Sequence, residues 1–199
     1  MVNKIIYLEG GGDSKELHTR CREGFSKLLE RAGFKGRMPR LVACGGRGQT
    51  YSDFVTAHES GQHQYVALWI DSEEPLKDLE NAWTHLNEYD KWDNPEKAND
   101  EQVLFMATCM ETWITADRAT VKAHYGHKLQ ESALPPLNDL ENRPRHDVQD
   151  RLTRATRNCT NAYAKGKRSF DLLGKLDPEA LKPYLPSLVR TLHILNQNL

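Results

Sequence analysis

Glu9 directly follows the apolar run Lys4 to Leu8 (KIIYL), and Asp71, Glu73 and Glu74 follow a second apolar run, Tyr65 to Ile70 (YVALWI). A carboxylate placed where a hydrophobic strand ends escapes the core yet stays on rigid scaffolding. In an open parallel sheet, ligands bind outside the carboxyl ends of the strands. Several carboxylates held together repel and raise one another's pKa values unless a cation is present. A hard divalent ion removes that conflict, because Mg²⁺ takes oxygen ligands and is often held by only one or two protein carboxylates. Such an ion activates water and stabilises a departing oxygen in phosphodiester cleavage. Glu9, Asp71 and Glu73 are therefore the candidate ligands for Mg²⁺ or Mn²⁺. Each acid also has a plainer explanation at this point. Glu9 could serve the dipole of a following helix, and Asp71 to Glu74 could be a solvated turn.

Two glycine clusters offer phosphate contacts. Gly10, Gly11 and Gly12 could expose backbone N–H groups as an anion cradle, or simply form a tight turn. Gly45, Gly46 and Gly48 surround Arg47, whose guanidinium suits a bidentate fork on a substrate phosphate; a surface arginine is the alternative. The chain has no GxxxxGK[ST] and no GxGxxG. Farther on, Arg151, Arg154 and Arg157 recur at steps of three, and Lys165, Lys167 and Arg168 follow. A basic stripe of this kind can track a nucleic-acid backbone, or it can be a solvated face. The eight histidines form no HExxH or HxH pair, and no nucleophilic triad is legible.

The elements that must position these residues follow from periodicity. KIIYL predicts a short buried strand ending at a glycine triplet. Asp13 and Glu16 have capping-box spacing, and Leu17, Cys21, Phe25, Leu28 and Ala32 predict an amphipathic helix ended by Gly33 and Gly36. Arg40 to Cys44 predicts a second strand, and Tyr51, Phe54, Val55 and His58 lie on one face of the helix after it. The third strand, Tyr65 to Ile70, is apolar throughout, as when both faces of a sheet are covered. Pro75 is expected to open a helix carrying Leu76, Leu79, Trp83 and Leu86, with Asn87 to Glu101 as a polar loop. Val103 to Cys109 is either a fourth strand or the start of a helix through Trp113 to Tyr125. Strands alternating with helices imply an α/β fold with a mainly parallel sheet. Beyond Gly126 the pattern is helical and loop-like, and the end of the chain from Pro186 should dock as a helix through Leu188, Val189, Leu192 and Leu195. The expected organisation is a core over residues 1–125 and a helical extension over 126–199 packed on it.

At 199 residues, 38% hydrophobic and 28% charged, the chain affords one core under a polar surface. The net charge of −1 names no partner. Its distribution says more: six basic residues and no acid lie between Arg151 and Phe170, and six acids with two lysines between Glu88 and Glu101. Cys21, Cys44, Cys109 and Cys159 are scattered, without metal-ligand spacing, and Cys44 and Cys109 sit in apolar runs that suit buried thiols in a reducing cytosol. With no signal peptide and no run of about 20 apolar residues, a cytoplasmic protein without a membrane partner is expected.

The segment IIYLEGGGD resembles the opening of the Toprim superfamily, a hydrophobic strand followed by Glu-Gly, and LWIDSEEP resembles its strand followed by Asp-x-Asp, with Glu73 in place of the last Asp. CMETWITAD (Cys109 to Asp117) is similar to a Glu-x-Trp segment of small Toprim-like proteins of the RloB and OLD-nuclease type, and AYAKGKRSF to their Tyr-x-Lys segment. The resemblance implies a Toprim-like fold and metal-dependent cleavage of a nucleic-acid phosphodiester. It implies Glu9 as ligand or general acid/base, Asp71 and Glu73 as the acidic pair, Glu111 as a completing carboxylate, and Lys165 as an active-site neighbour. It also implies pairing with an ABC-like ATPase in phage defence. The alternatives are a binding module for an ATPase or nucleic acid that keeps the acids as relics, and a small phosphotransferase or nucleotide-processing enzyme using the same site. Self-association, and the choice of DNA or RNA, stay open.

Overall fold

The computed structural model describes residues 3–199. Strand and helix alternate through the first half of the chain. β1 (Lys4–Glu9) leads to α1 (Lys15–Leu29), β2 (Arg40–Gly45) to α2 (Arg47–Glu59), and β3 (Tyr65–Asp71) to α3 (Ala82–Asp90). β4 (Val103–Met106) then leads to α4 (Met110–Ala116) and α5 (Arg118–Tyr125). The remainder holds α6 (Arg145–Thr156), α7 (Lys167–Leu173), α8 (Pro178–Leu181) and α9 (Pro186–Asn198).

The four strands make one sheet in the order β2-β1-β3-β4, every pairing parallel. The fold is therefore α/β, with a parallel sheet flanked by helices, as the alternating pattern predicts. The chain steps from β1 to β2 on one side, then returns to place β3 on the other side of β1. The carboxyl ends of β1 and β3 thus lie at a topological switch point, where parallel sheets leave a crevice.

Side-chain alternation divides the strands between two apolar layers. Ile6, Leu8, Ala67, Trp69, Leu104 and Met106 face one side; Ile5, Val66, Leu68, Ile70, Val103 and Phe105 face the other, under Phe54, Trp83 and Leu86. Because both faces are covered, all six residues from Tyr65 to Ile70 are buried. In the first layer Trp69 meets Phe25 and Trp113 edge-on, with ring centroids 4.8 and 6.0 Å apart. Residues 126–199 have no separate core: Leu140, Leu152, Leu172, Leu188 and Leu195 belong to the cluster that contains Ile6 and Trp69. The extension completes one face of the sheet. One glycine permits this: a Cβ on Gly24 of α1 would sit 2.6 Å from the Phe170 carbonyl oxygen, so α7 lies directly on the α1 backbone.

Several local expectations change. Ser14, not Asp13, caps α1, its hydroxyl accepting from the Leu17 N–H at 3.3 Å. No helix starts at Pro75; α3 begins at Ala82. The chain after β3 is tied into turns instead. The Ser72 hydroxyl donates to the Glu74 carbonyl, the Glu73 N–H reaches the Thr108 carbonyl, and the Asp78 carboxylate accepts from the Glu80 N–H. The Trp83 N–H in the first turn of α3 is satisfied from a distant residue, the Asp100 carboxylate, at 2.9 Å. α3 also runs to Asp90, into the stretch expected to be loop. Val103 to Cys109 resolves into strand β4 and a short link to α4. On α9, Leu188, Leu192 and Leu195 are buried, but Val189 is 45% exposed. Cys44 is only partly buried, unlike the other three cysteines. Among the described residues no helix is long and apolar enough to cross a membrane.

Candidate active site

The site grows from the carboxyl ends of β1 and β3. Leu8 pairs with Trp69, and a register shift after Leu8 sets Glu9 opposite Gly45 of β2. Beyond the strand, Gly10 and Gly45 exchange backbone hydrogen bonds at 2.8 and 3.1 Å. The Gly10 N–H is therefore spent on the fold and is not a free cradle donor. Gly11 has φ +94°, and a Cβ there would meet His18 Cδ2 at 2.8 Å. The His18 Nε2–H in turn donates to the Gly12 carbonyl at 2.6 Å. The glycine triplet bends the chain sharply between Glu9 and α1, so that the loop becomes a wall of the site.

Glu9 and Asp71 meet. The Glu9 Oε2 accepts from the Asp71 backbone N–H at 3.3 Å and from Arg47 Nη1 at 3.0 Å. Arg47 does not extend toward a substrate phosphate. Its Nε and Nη2 hold Asp90 Oδ1 and Oδ2 at 2.6 and 2.8 Å, and its Nη1 also reaches the Asp71 carbonyl at 2.5 Å. The Trp92 ring lies 5.2 Å from the guanidinium carbon and stacks on Tyr51 at 4.3 Å. With every nitrogen of its fork committed, Arg47 is a bracket that orients Glu9 and the end of β3. The phosphate role expected for it is corrected on this ground.

Asp71 is under electrostatic tension. Its Oδ1 is fully buried with no hydrogen-bond partner. Burial pushes its carboxyl well above the usual range, Glu9 and Glu111 push it further, and Lys165 and Arg47 oppose them. Burial also raises Glu9, against Arg47. Glu111, in the first turn of α4, is 1% exposed; it accepts from Gln149 Nε2 at 3.2 Å and from the Tyr163 hydroxyl. That phenol is raised by burial and by the Glu111 charge. Glu111 thus adds its charge to that of Asp71 while side chains of the C-terminal extension anchor it.

Glu73 takes a different path. Its backbone is left-handed, at φ 64°, and its carboxylate pairs with Arg145 at the start of α6. Among the described residues, no group of three or more His, Cys, Asp or Glu side chains is arranged to share a metal ion. The expected ligand set is accordingly divided: Glu9 and Asp71 converge, and Glu73 is drawn off by Arg145.

A pocket of about 340 Å³ opens at this point. Glu9, Asp71, Gly10, Gly11, Gly12 and Lys165 line it, together with Leu17, Met106, Met110 and Phe170. Lys165 thereby joins the acids across most of the sequence. The Lys167 side chain, named with it above, lies outside the described residues. Asp90, Arg145, Gln149 and Tyr163 are participants that sequence reading did not single out. Tyr163 had a signal, since it is the tyrosine of the Tyr-x-Lys segment. Asp90 had none: it sits in an acidic stretch and finds its arginine 43 residues away.

The fold and this pocket define a parallel α/β protein with a carboxylate-floored pocket at the switch point of its sheet. The chain belongs to a family described as a domain of unknown function (DUF4276), whose model matches residues 8–194 and so spans every element of the site. No curated protein and no solved structure matches the chain.

Proposed function

We propose that this chain is a divalent-metal-dependent nuclease that cleaves a phosphodiester of DNA or RNA in the pocket beside Glu9 and Asp71. The observation that carries the reading is the buried, unpartnered Oδ1 of Asp71, next to a second carboxylate on the neighbouring strand. A buried acceptor without a partner costs about 1–3 kcal/mol, and more when charged. A cation relieves that cost, and two carboxylates suffice for Mg²⁺ or Mn²⁺ when the substrate supplies further oxygens.

Glu9 and Asp71 are the residues that hold the ion. The chemistry supplied by such an ion is Lewis acidity toward the phosphodiester and a lowered pKa for the attacking water. Arg47 fixes the Glu9 carboxylate in place, and Glu111 with Tyr163 sets the charge behind Asp71. Lys165, on the pocket wall, meets the negative charge of the substrate phosphate. Glu73 joins only when Arg145 releases it. The likeness to Toprim-like nucleases supports the same assignment. An ABC-like ATPase partner, a place in phage defence and a cytoplasmic location are proposed from sequence alone, the first two from that resemblance.

A nuclease assay tests the reading. DNA, RNA and tRNA substrates are incubated with wild type and Glu9→Gln, with and without Mg²⁺ or Mn²⁺. Metal-dependent cleavage lost in Glu9→Gln supports it. Cleavage retained by both Glu9→Gln and Asp71→Asn defeats it. A second reading, a non-catalytic binding module, is favoured by the neutralisation of Glu73 by Arg145 and of Arg47 by Asp90. It requires that no substrate be cut even with the partner ATPase present, and that both acid variants keep full function.

A further inference from the structure

We infer that Arg145 is the receptor for a phosphate of the substrate strand, and that Glu73 is an internal anion that occupies it until that phosphate arrives and frees the carboxylate for the metal ion. The inference deepens the proposed nuclease reading, on which its metal half rests. Its phosphate half is a statement about binding and holds or fails without cleavage.

The two partners sit on the rim of the site. The Glu73 N–H donates to the Thr108 carbonyl at 2.9 Å, and the Thr108 hydroxyl donates to the Arg143 carbonyl at 3.0 Å. Thr108 therefore ties the turn after β3 to the segment that enters α6 at Arg145. One residue before Glu73, the Ser72 N–H donates at 3.0 Å to the carbonyl of Met106, which lines the pocket. The Glu73 charge is felt inside: burial and then Glu73 push the Glu9 carboxyl up, against Arg47.

Solvent access separates this pair from the Arg47 bracket. The Arg47 side chain is 14% exposed and its fork is fully committed, whereas the Arg145 and Glu73 side chains are 44% and 37% exposed. An exposed pair contributes little to stability, so its anion is exchanged at small cost. Breaking a buried pair strands a charge. Of the two arginines at the site, Arg145 is thus the one that can change partners. A guanidinium receives a phosphate through the same donors that hold a carboxylate.

Glu73 is held for release. Its backbone is left-handed, at φ 64°, a region that residues other than glycine seldom adopt, and its bond to Thr108 fixes it there. The side chain is then the moving part. Two residues away lies Asp71, whose buried Oδ1 has no partner. A third carboxylate delivered with the strand couples the two sites, so that metal and phosphate each tighten the other by the same factor.

Wild type, Glu73→Gln, Arg145→Met and the double variant, each as the full chain, test the exchange. Mn²⁺ is titrated by calorimetry without any phosphate. Fluorescent single-stranded DNA and RNA oligonucleotides of one sequence are bound in EDTA and followed by anisotropy. Arg145→Met should tighten Mn²⁺ about two- to fivefold, the value of an exposed ion pair, and adding Glu73→Gln should cancel that gain. Glu73→Gln should tighten at least one strand by about the same factor, and Arg145→Met should weaken it. Glu74→Gln, an exposed neighbour with the same change of charge, should bind strands as wild type does. Because the pair is exposed, melting temperatures should match. Absent Mn²⁺ binding, an affinity unchanged in Arg145→Met, or a gain that persists in the double variant overturns the inference. So does equal strand binding by Glu73→Gln and Glu74→Gln, or none by any protein. Failure of these shifts beside metal-dependent cutting by wild type removes the exchange and leaves the nuclease. The expected shifts with no strand cut remove the nuclease and leave a strand-binding site coupled to metal.

Discussion

Replacing Asp71 by Asn should make the metal-free protein more stable while removing the proposed nuclease activity. Asn has the same shape, so the pocket floor is kept and only the charge is lost. In wild type the Asp71 Oδ1 is buried without a partner and close to the charges of Glu9 and Glu111. Asn keeps a polar atom at that place, so the relief is that of the charge and its repulsion by Glu9 and Glu111 alone, about 1–3 kcal/mol. For a chain of this length that corresponds to a melting temperature higher by ~2–12 °C. The pH dependence has a definite sign. The folded carboxyl holds its proton above the ordinary value of 3.8, so wild type loses stability as pH rises from that value through the raised folded one. The gap between variant and wild type should therefore be open at pH 8 and close on acidification. Mg²⁺ should raise the wild-type melting temperature and leave Asp71→Asn unmoved, by about 2.7 kcal/mol at a hundredfold excess over its Kd. Differential scanning fluorimetry of both proteins, at pH 5 and 8 with and without Mg²⁺, checks all three. An Asn variant that melts at or below wild type at pH 8 would refute the claim that Asp71 is held in electrostatic tension.

Arg47→Met strands Glu9 and Asp90, whose side chains are 19% and 15% exposed; the loss should be about 3 kcal/mol, the low end for breaking a buried pair, read as a lower denaturant midpoint at pH 7. Arg47→Lys should not restore it, because one ammonium cannot span Asp90, Glu9 and the Asp71 carbonyl. Gly24→Ala drives a Cβ against the Phe170 carbonyl and should cost about 1–3 kcal/mol; an unchanged melt would show that α7 does not rest on α1. Burial raises Glu141 from 4.5 to about 7 despite its hydrogen bonds from Ser187, so its contribution to stability falls as pH climbs between those values. Glu141→Gln should flatten the wild-type curve over that range, and two parallel curves would exclude the effect.

The residues at the heart of the site were legible because their signals are local. An apolar run ending in Glu9, a second ending in Asp71 and the glycines after the first each report a strand edge within a few positions. The parallel sheet followed from strand–helix alternation, and adjacency of β1 and β3 then brought the two acids together. The segment after Pro75 misled for the same reason in reverse. Its proline and leucines have helical character, but Asp100 and Thr108, far along the chain, satisfy the backbone elsewhere.

Charge pairing was beyond the reach of sequence. Nothing near Arg47 announces Asp90, and nothing near Glu73 announces Arg145, 72 residues on. Electrostatic partners are chosen by proximity in space, and a solvated arginine and a bracketing arginine have the same letter. Residue type and strand ends determined where negative oxygen would gather. Only the tertiary structure decided which acids converge, which are paired with an arginine, and that Lys165 and Phe170 of the C-terminal extension close beside them.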